Sequence, residues 1–315
     1  MNAQPDSSLE GLRQQYRHYL QSQRDLAPAT LRNYLQDLET FWRFLAERKV
    51  SALPSIDRLF LRAYLARLIT WGYVRASIAR KVSALRSLFR FLSRTGQLTA
   101  DPTKELESPK LDRRLPQFID HEGMRALLQP PSYPAGPLGL RDRAILELLY
   151  ASGARLSEIS SLTLDQLDLS VNTLRVLGKG SKERDVLIGM PARQALEAYL
   201  ADGRPLLATP RSGRALFLNR YGGTLSRRTV QKLVKGYAIR AGLDPRVHTH
   251  TLRHTFATHM LDGGADLRVV QELMGHASPA TTQIYTHVTQ AQMRKVYLAA
   301  HPRARKGTAK EGTAP

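Results

Sequence analysis

Arg155, His250, Arg253, His276 and Tyr285 are of the types needed to break a phosphodiester, and they stand in separate stretches of a 315-residue chain. A phosphodiester is a monoanion that gains charge as a nucleophile adds. Its transition state calls for fixed donors on the non-bridging oxygens, a nucleophile in line and a proton donor for the leaving oxygen. Arginine suits the first task, because its planar fork makes paired hydrogen bonds to phosphate and stays charged. A tyrosine suits the second only in company. A free phenol has a pKa of about 10, so cations or a base must stand beside it. Twelve tyrosines occur here, and most tyrosines simply pack a core with a satisfied hydroxyl.

Each group also has a plainer reading. Arg155 lies in Gly153-Ala154-Arg155-Leu156-Ser157-Glu158. Taken alone it reads as a surface arginine paired with Glu158, three residues on. At the start of a helix it would instead share an anion with free backbone N–H groups. His250 and Arg253 are spaced i, i+3 and so share a helix face, while Leu252 and Phe256 can face the core. The plain reading is a wet surface pair. A metal reading also exists, because His250 and His254 have the i, i+4 spacing of helical zinc ligands. Thr251 stands where the HExxH base would be, the chain has no cysteine, and no carboxylate follows before Asp262. Gly275-His276 closes an apolar helix, and Tyr285 comes nine residues later in Thr281-Thr282-Gln283-Ile284-Tyr285-Thr286-His287.

The elements that must position these groups are mostly helical. Apolar residues recur every three or four positions over 9–24, 29–48, a segment capped by Ser55 or Asp57 and ending at Trp71, and 76–94. Together they predict a compact N-terminal bundle. On the fourth helix Arg75, Arg80, Lys81, Arg86, Arg90 and Arg94 have no acid among them. Any one reads as a solvated side chain; the set points toward phosphate contact. Residues 97–117, with Pro102, Pro109 and Pro116, read as a linker. Helices resume near Asp120, break over a Pro/Gly-rich loop at 129–139, and return from Asp142. The period then changes. Residues 173–177 and 183–188 are β-prone and flank Gly178-Lys179-Gly180-Ser181-Lys182, a hairpin with a basic tip. Further helices are predicted over 191–200, 226–241, 249–262, 267–274 and 289–299. The polar stretch 301–315 is expected to be disordered.

Composition narrows the partners. Lys and Arg number 47 against 27 acidic residues, a formal net charge of +20. A polyanion is the simplest reason for such an excess, which runs through both halves of the chain rather than beside an apolar anchor. The absence of cysteine excludes disulfides and thiolate chemistry and fits a reducing cytoplasm. The N-terminus lacks the apolar stretch of a signal peptide, and no apolar run is long enough to span a bilayer.

In order and spacing, Gly153-x-Arg155-x-x-Glu158-x-x-x-Leu162, Gly178-Lys179-Gly180, His250-x-x-Arg253-His254, Leu273-x-Gly275-His276 and Thr281-Thr282-x-x-Tyr285-Thr286-His287 resemble the signature of the tyrosine recombinases, and within them the Xer type. The likeness runs nearly the whole chain. It departs at Ile159, where Leu is frequent, at Met274, and at His248-Thr249, where a proline often precedes the histidine.

The resemblance implies a mainly α protein in two domains: an N-terminal SAM-like core-binding bundle (1–110, linker to about 117) and a mostly α catalytic domain with a small β-hairpin (117–300). It implies that Tyr285 attacks the scissile phosphate to form a 3′-phosphotyrosyl link and that Arg155 and Arg253 hold the non-bridging oxygens. Lys179 would protonate the departing 5′ oxygen, with Lys182 as a rival. His250 would assist proton transfer at Tyr285, and His276 would support the phosphate. No cofactor or metal is implied. The implied partners are double-stranded DNA gripped between the two domains, a homo- or hetero-tetramer on two DNA sites in which the helix at 289–299 docks on a neighbour, and an FtsK-like regulator. Chromosome dimer resolution in the cytoplasm is the role expected. A phage or mobile-element integrase, or a type IB topoisomerase, would share the chemistry; a DNA-binding regulator would need no such set.

Overall fold

The structure, a computed structural model, describes residues 9–22, 28–50, 53–109, 117–129, 133–178, 183–275 and 289–304. The chain divides into two compact units, Met1–Arg114 and Leu115–Pro315. No helix among the described residues is long and apolar enough to cross a membrane.

The first unit contains α1 (Leu9–Ser22), α2 (Pro28–Glu47), α3 (Arg58–Thr70) and α4 (Arg75–Arg94). Its core joins Leu12 and Tyr16 of α1, Leu38, Phe41 and Phe44 of α2, Leu61 and Tyr64 of α3, and Val82, Leu85, Phe89 and Leu92 of α4. Of the two candidate caps for α3, Asp57 takes the position and accepts from the Phe60 N–H at 2.7 Å; its carboxylate satisfies a helix-end donor.

The cationic row on α4 is not one solvated face. Lys81 is buried and donates to Asp37 Oδ1 at 3.3 Å, while Arg80 donates to Asp37 Oδ2 at 2.6 Å. Arg86 is turned to Ser108 Oγ and the Leu106 carbonyl. A buried Asp37 on α2, with helix spacing that puts it opposite, draws Lys81 inward and pairs with Arg80 from the surface. Arg90 and Arg94 remain exposed.

The second unit is built on α6 (Pro137–Ser152), which is buried nearly all round. It begins at Pro137, five residues ahead of the expected start, because Pro137 suits the first helical turn. Before it comes α5 (His121–Leu128), capped by Asp120, and after it α7 (Leu156–Ser160). A three-stranded antiparallel sheet follows: β1 (Leu167–Asp168), β2 (Thr173–Leu177) and β3 (Glu183–Leu187). The expected hairpin is β2–β3, with Leu174 opposite Val186 and Leu177 opposite Glu183. Then come α8 (Met190–Ala198), α9 (Arg204–Leu207), α10 (Arg227–Arg240), α11 (Thr249–Asp262), α12 (Leu267–Met274) and α13 (Gln290–Ala300). The mainly helical class with a small sheet agrees with the expectation from the sequence.

One expectation at the C-terminal end needs correction. Residues 301–304 are ordered: His301 and Ala304 are buried, and Arg303 donates to both carboxylate oxygens of the buried Glu147. An ion pair to a buried acid is enough to hold a chain end that composition alone marks as loose. Residues 305–315 lie outside the described residues. Within the chain α13 packs against α11 and α12. Tyr297 is buried, and its hydroxyl donates to the Ala151 carbonyl at 3.0 Å. A Cβ at Gly263 would stand 2.2 Å from the Ala300 carbonyl, so the end of α11 admits α13 only because that residue is glycine.

Candidate active site

The end of α6 sets the first group. Gly153 turns the chain with φ 56°, a left-handed conformation that disfavours a side chain, and a Cβ there would lie 2.4 Å from the Phe256 ring. Arg155 follows in extended conformation as the cap of α7. Its backbone N–H donates to Glu158 Oε2 at 2.8 Å and its Nη1 to Oε1 at 3.1 Å. The pairing with Glu158 read from the sequence is present, and the helix-end N–H is spent on that carboxylate. The Arg155 fork also reaches across the fold: Nη2 donates to the Gly275 carbonyl at 3.1 Å.

α11 supplies the second pair. Leu252 and Phe256 are buried, as their spacing predicts, and this fixes the direction of the other face. Arg253 is buried too; Nη1 donates to the Gly153 carbonyl and Nη2 to the Met274 carbonyl, the latter at 2.7 Å. Burial pushes the Arg253 pKa down to about 10, with the Arg155 charge acting the same way. It remains a cation at neutral pH, held against like charge by carbonyl oxygens. His250, one turn before it, is exposed at the helix start. Its imidazole titrates below the ordinary value, first through partial desolvation, then through His248, His254, Arg253 and Arg155.

The end of α12 closes the site. Gly275 caps it with φ 66°, and the Met274 and Gly275 carbonyls, the negative end of the helix, take the two guanidiniums. Three distant segments thus bring Arg155, Arg253 and His250 together. Lys179, Lys182, His276 and Tyr285 lie outside the described residues.

One member escaped the sequence reading. Arg184 on β3 donates through Nη1 to Glu158 Oε1 at 2.8 Å and through Nη2 to Oε2 at 2.9 Å. A signal existed: strand alternation places Arg184 on the face of the buried Val186, whereas Glu183 and Asp185 face out.

Residues 117–292 match the phage integrase family, and residues 14–96 match the phage integrase N-terminal SAM-like domain. The chain belongs to the phage integrase family. It is 44% identical over 301 residues to the tyrosine recombinase XerC of Myxococcus xanthus, covering 95% of this chain and 100% of that one. It is 44% identical over 292 residues to the tyrosine recombinase XerD of Halalkalibacterium halodurans, covering 92% and 97%. The crystal structure of XerH bound to difH substrate in a pre-cleavage complex aligns with a TM-score of 0.66 at 25% identity, over 87% of this chain and 82% of that one. This protein is accordingly a Xer-type tyrosine recombinase, an enzyme of the class that breaks and rejoins DNA.

In this recombinase the charge around Glu158 is unbalanced. Burial raises the carboxyl's pKa, but hydrogen bonds from Arg184 and from the Arg155 backbone outweigh it, and the net shift is downward. One carboxylate therefore stays ionised among Arg155, Arg184 and Arg253 and leaves the cluster cationic. Such preorganised donors suit charge that develops on a phosphate.

Proposed function

We propose that this recombinase cleaves and rejoins specific DNA sites through a 3′-phosphotyrosyl intermediate. The observation that carries the reading is the clamp on two arginines: Arg155 and Arg253, from different helices, donate to adjacent carbonyls at the end of α12. In that posture both present guanidinium edges to one phosphate. Tyr285 attacks the phosphorus, Lys179 gives a proton to the departing 5′ oxygen, His250 takes the tyrosine proton, and His276, which follows Gly275 directly, supports the phosphate. The phosphodiester's energy is kept in the covalent link, so rejoining needs no nucleotide, and guanidiniums do the electrostatic work a metal does elsewhere.

The first unit serves as the core-binding domain, the enzyme works as a tetramer on two sites, and its role is chromosome dimer resolution in the cytoplasm under an FtsK-like regulator. The match to XerC and XerD over more than nine-tenths of the chain favours this role over that of a mobile-element integrase. XerH has been solved on its difH substrate, and λ integrase, whose fold is shared, as a tetramer bound to a Holliday junction.

The test is to trap the protein on DNA in its own cells, purify covalent complexes under denaturing conditions and sequence the DNA. A single recurrent site is expected from the natural chain and none from Tyr285→Phe, which should still bind a duplex of that site. Equal covalent yield from the Tyr285→Phe variant would remove Tyr285 as the nucleophile.

A further inference from the structure

Glu158 presents a difficulty for a phosphate site. A buried carboxylate within hydrogen-bond reach of Arg155 competes with the substrate for the same guanidinium. Left alone with Arg155 it would cancel that residue's charge and hold its fork. Arg184 answers this difficulty. It meets both oxygens of Glu158 at 2.8 and 2.9 Å, both shorter than the 3.1 Å bond from Arg155 Nη1. A bidentate guanidinium–carboxylate pair is the stronger and better oriented arrangement.

The surroundings of Arg184 are built to hold it there. Its side chain is mostly buried, with 18% exposed against 35% for Arg155. A Cβ on Gly275 would come within 2.8 Å of Arg184 Nε and 2.9 Å of Cζ. The residue whose carbonyl receives Arg155 therefore also lies close against Arg184, and any side chain at Gly275 would force that guanidinium to shift. Arg184 and Arg155 are fixed by the same two groups, Glu158 and Gly275.

We propose that Arg184 is a positioning residue for strand cleavage: by occupying Glu158 it leaves the charge and the outer N–H groups of Arg155 available to the scissile phosphate. This rests on the phosphate-binding reading of Arg155 above. It also ties β3, whose first residue follows Lys182 in the sequence, to the phosphate cradle.

The experiment uses the full chain and a nicked suicide duplex of the site recovered from the trapped DNA, and reads single-turnover cleavage beside duplex affinity by gel shift. Arg184→Gln should slow cleavage by about tenfold or more, short of the roughly 10²–10³ expected for a direct donor, with affinity within a few-fold of the natural chain. Adding Glu158→Gln should restore most of the loss, because an amide no longer captures Arg155 and can pair with Gln at position 184. Arg184→Lys, which keeps the charge but not the fork, should fall between. A residue that only holds the fold together would show additive losses in the double variant. The proposal is overturned by an Arg184→Gln variant that cleaves at the natural rate, or by a double variant slower than Arg184→Gln alone. Arg155→Ala separates the two levels. If it cleaves normally, the phosphate reading fails and this inference with it. If it is slow while the double variant shows no rescue, only the role of Arg184 is lost.

Discussion

Arg253 donates through Nη1 to the carbonyl oxygen of Gly153, a hundred residues earlier in the chain. The bond joins α11 to the turn after α6, and the same guanidinium reaches the end of α12 at Met274. A group proposed to act on substrate is thus also a structural tie, whereas Arg155 is more exposed and shares its buried partner with Arg184.

That difference separates two substitutions. Arg155→Ala and Arg253→Ala should each slow single-turnover cleavage by about 10²–10³. Only Arg253→Ala should also lower stability, by about 1–3 kcal/mol for carbonyls left buried without a donor. In Arg155→Ala, Arg184 still satisfies Glu158, and the melting temperature should barely move. A rate within a few-fold of the natural chain for either variant would count against its place in the site.

Gly153→Ala should be worse than a loop substitution has any right to be. The residue has φ 56°, and the new methyl would meet the Phe256 ring at 2.4 Å. Strain of this kind costs of order 1–3 kcal/mol, and the shift would carry the carbonyl that anchors Arg253. Lower thermal stability together with at least tenfold slower cleavage is expected (about 1.4 kcal/mol of barrier). A variant that melts and cleaves normally would contradict the packing described.

His301 makes the second unit acid-sensitive. Burial, the largest cause, holds the folded imidazole neutral down to about pH 3. The unfolded chain takes up that proton near pH 6.5. As pH falls below 6.5 the unfolded state gains the proton first, and stability is lost at about 1.4 kcal/mol per pH unit. His259, also shifted downward by burial, acts in the same direction. Calorimetric unfolding at pH 7 and pH 5 should show the drop, and His301→Gln should flatten the slope. A variant with the slope of the natural chain would exclude His301 as its source.

Asp37→Ala should destabilise the first unit by about 3–5 kcal/mol, because it leaves the ammonium of Lys81 buried and unpaired. Lys81→Met removes the buried charge instead and leaves Asp37 paired with the half-exposed Arg80, so its effect should be much smaller. Both tryptophans, Trp42 and Trp71, lie in this unit, so their fluorescence during urea unfolding reports it alone. Equal losses in the two variants would show that the pair does not behave as a buried ion pair.

Much of the architecture was readable from local pattern. Apolar spacing predicted α2, α4, α11 and α12 close to their observed bounds, since a helix that buries one stripe must repeat it every three or four residues. Turn chemistry and β-prone runs predicted the hairpin β2–β3. The i, i+3 spacing put His250 and Arg253 on one face, and the ordered motifs carried the family. These are properties of neighbours along the chain, and periodicity expresses them directly.

Pairings between distant residues were decided only in three dimensions. Nothing in the run Arg80-Lys81 says that Asp37 lies opposite, pairs with both and draws Lys81 inward. Nothing in Glu183-Arg184-Asp185 says that one member serves a carboxylate on α7. Arg303 is ordered by a glutamate 156 residues away. Charged side chains look alike in sequence because solvation is their default. Which of them leaves water depends on where a buried partner of opposite sign comes to rest, and that is settled when helices pack.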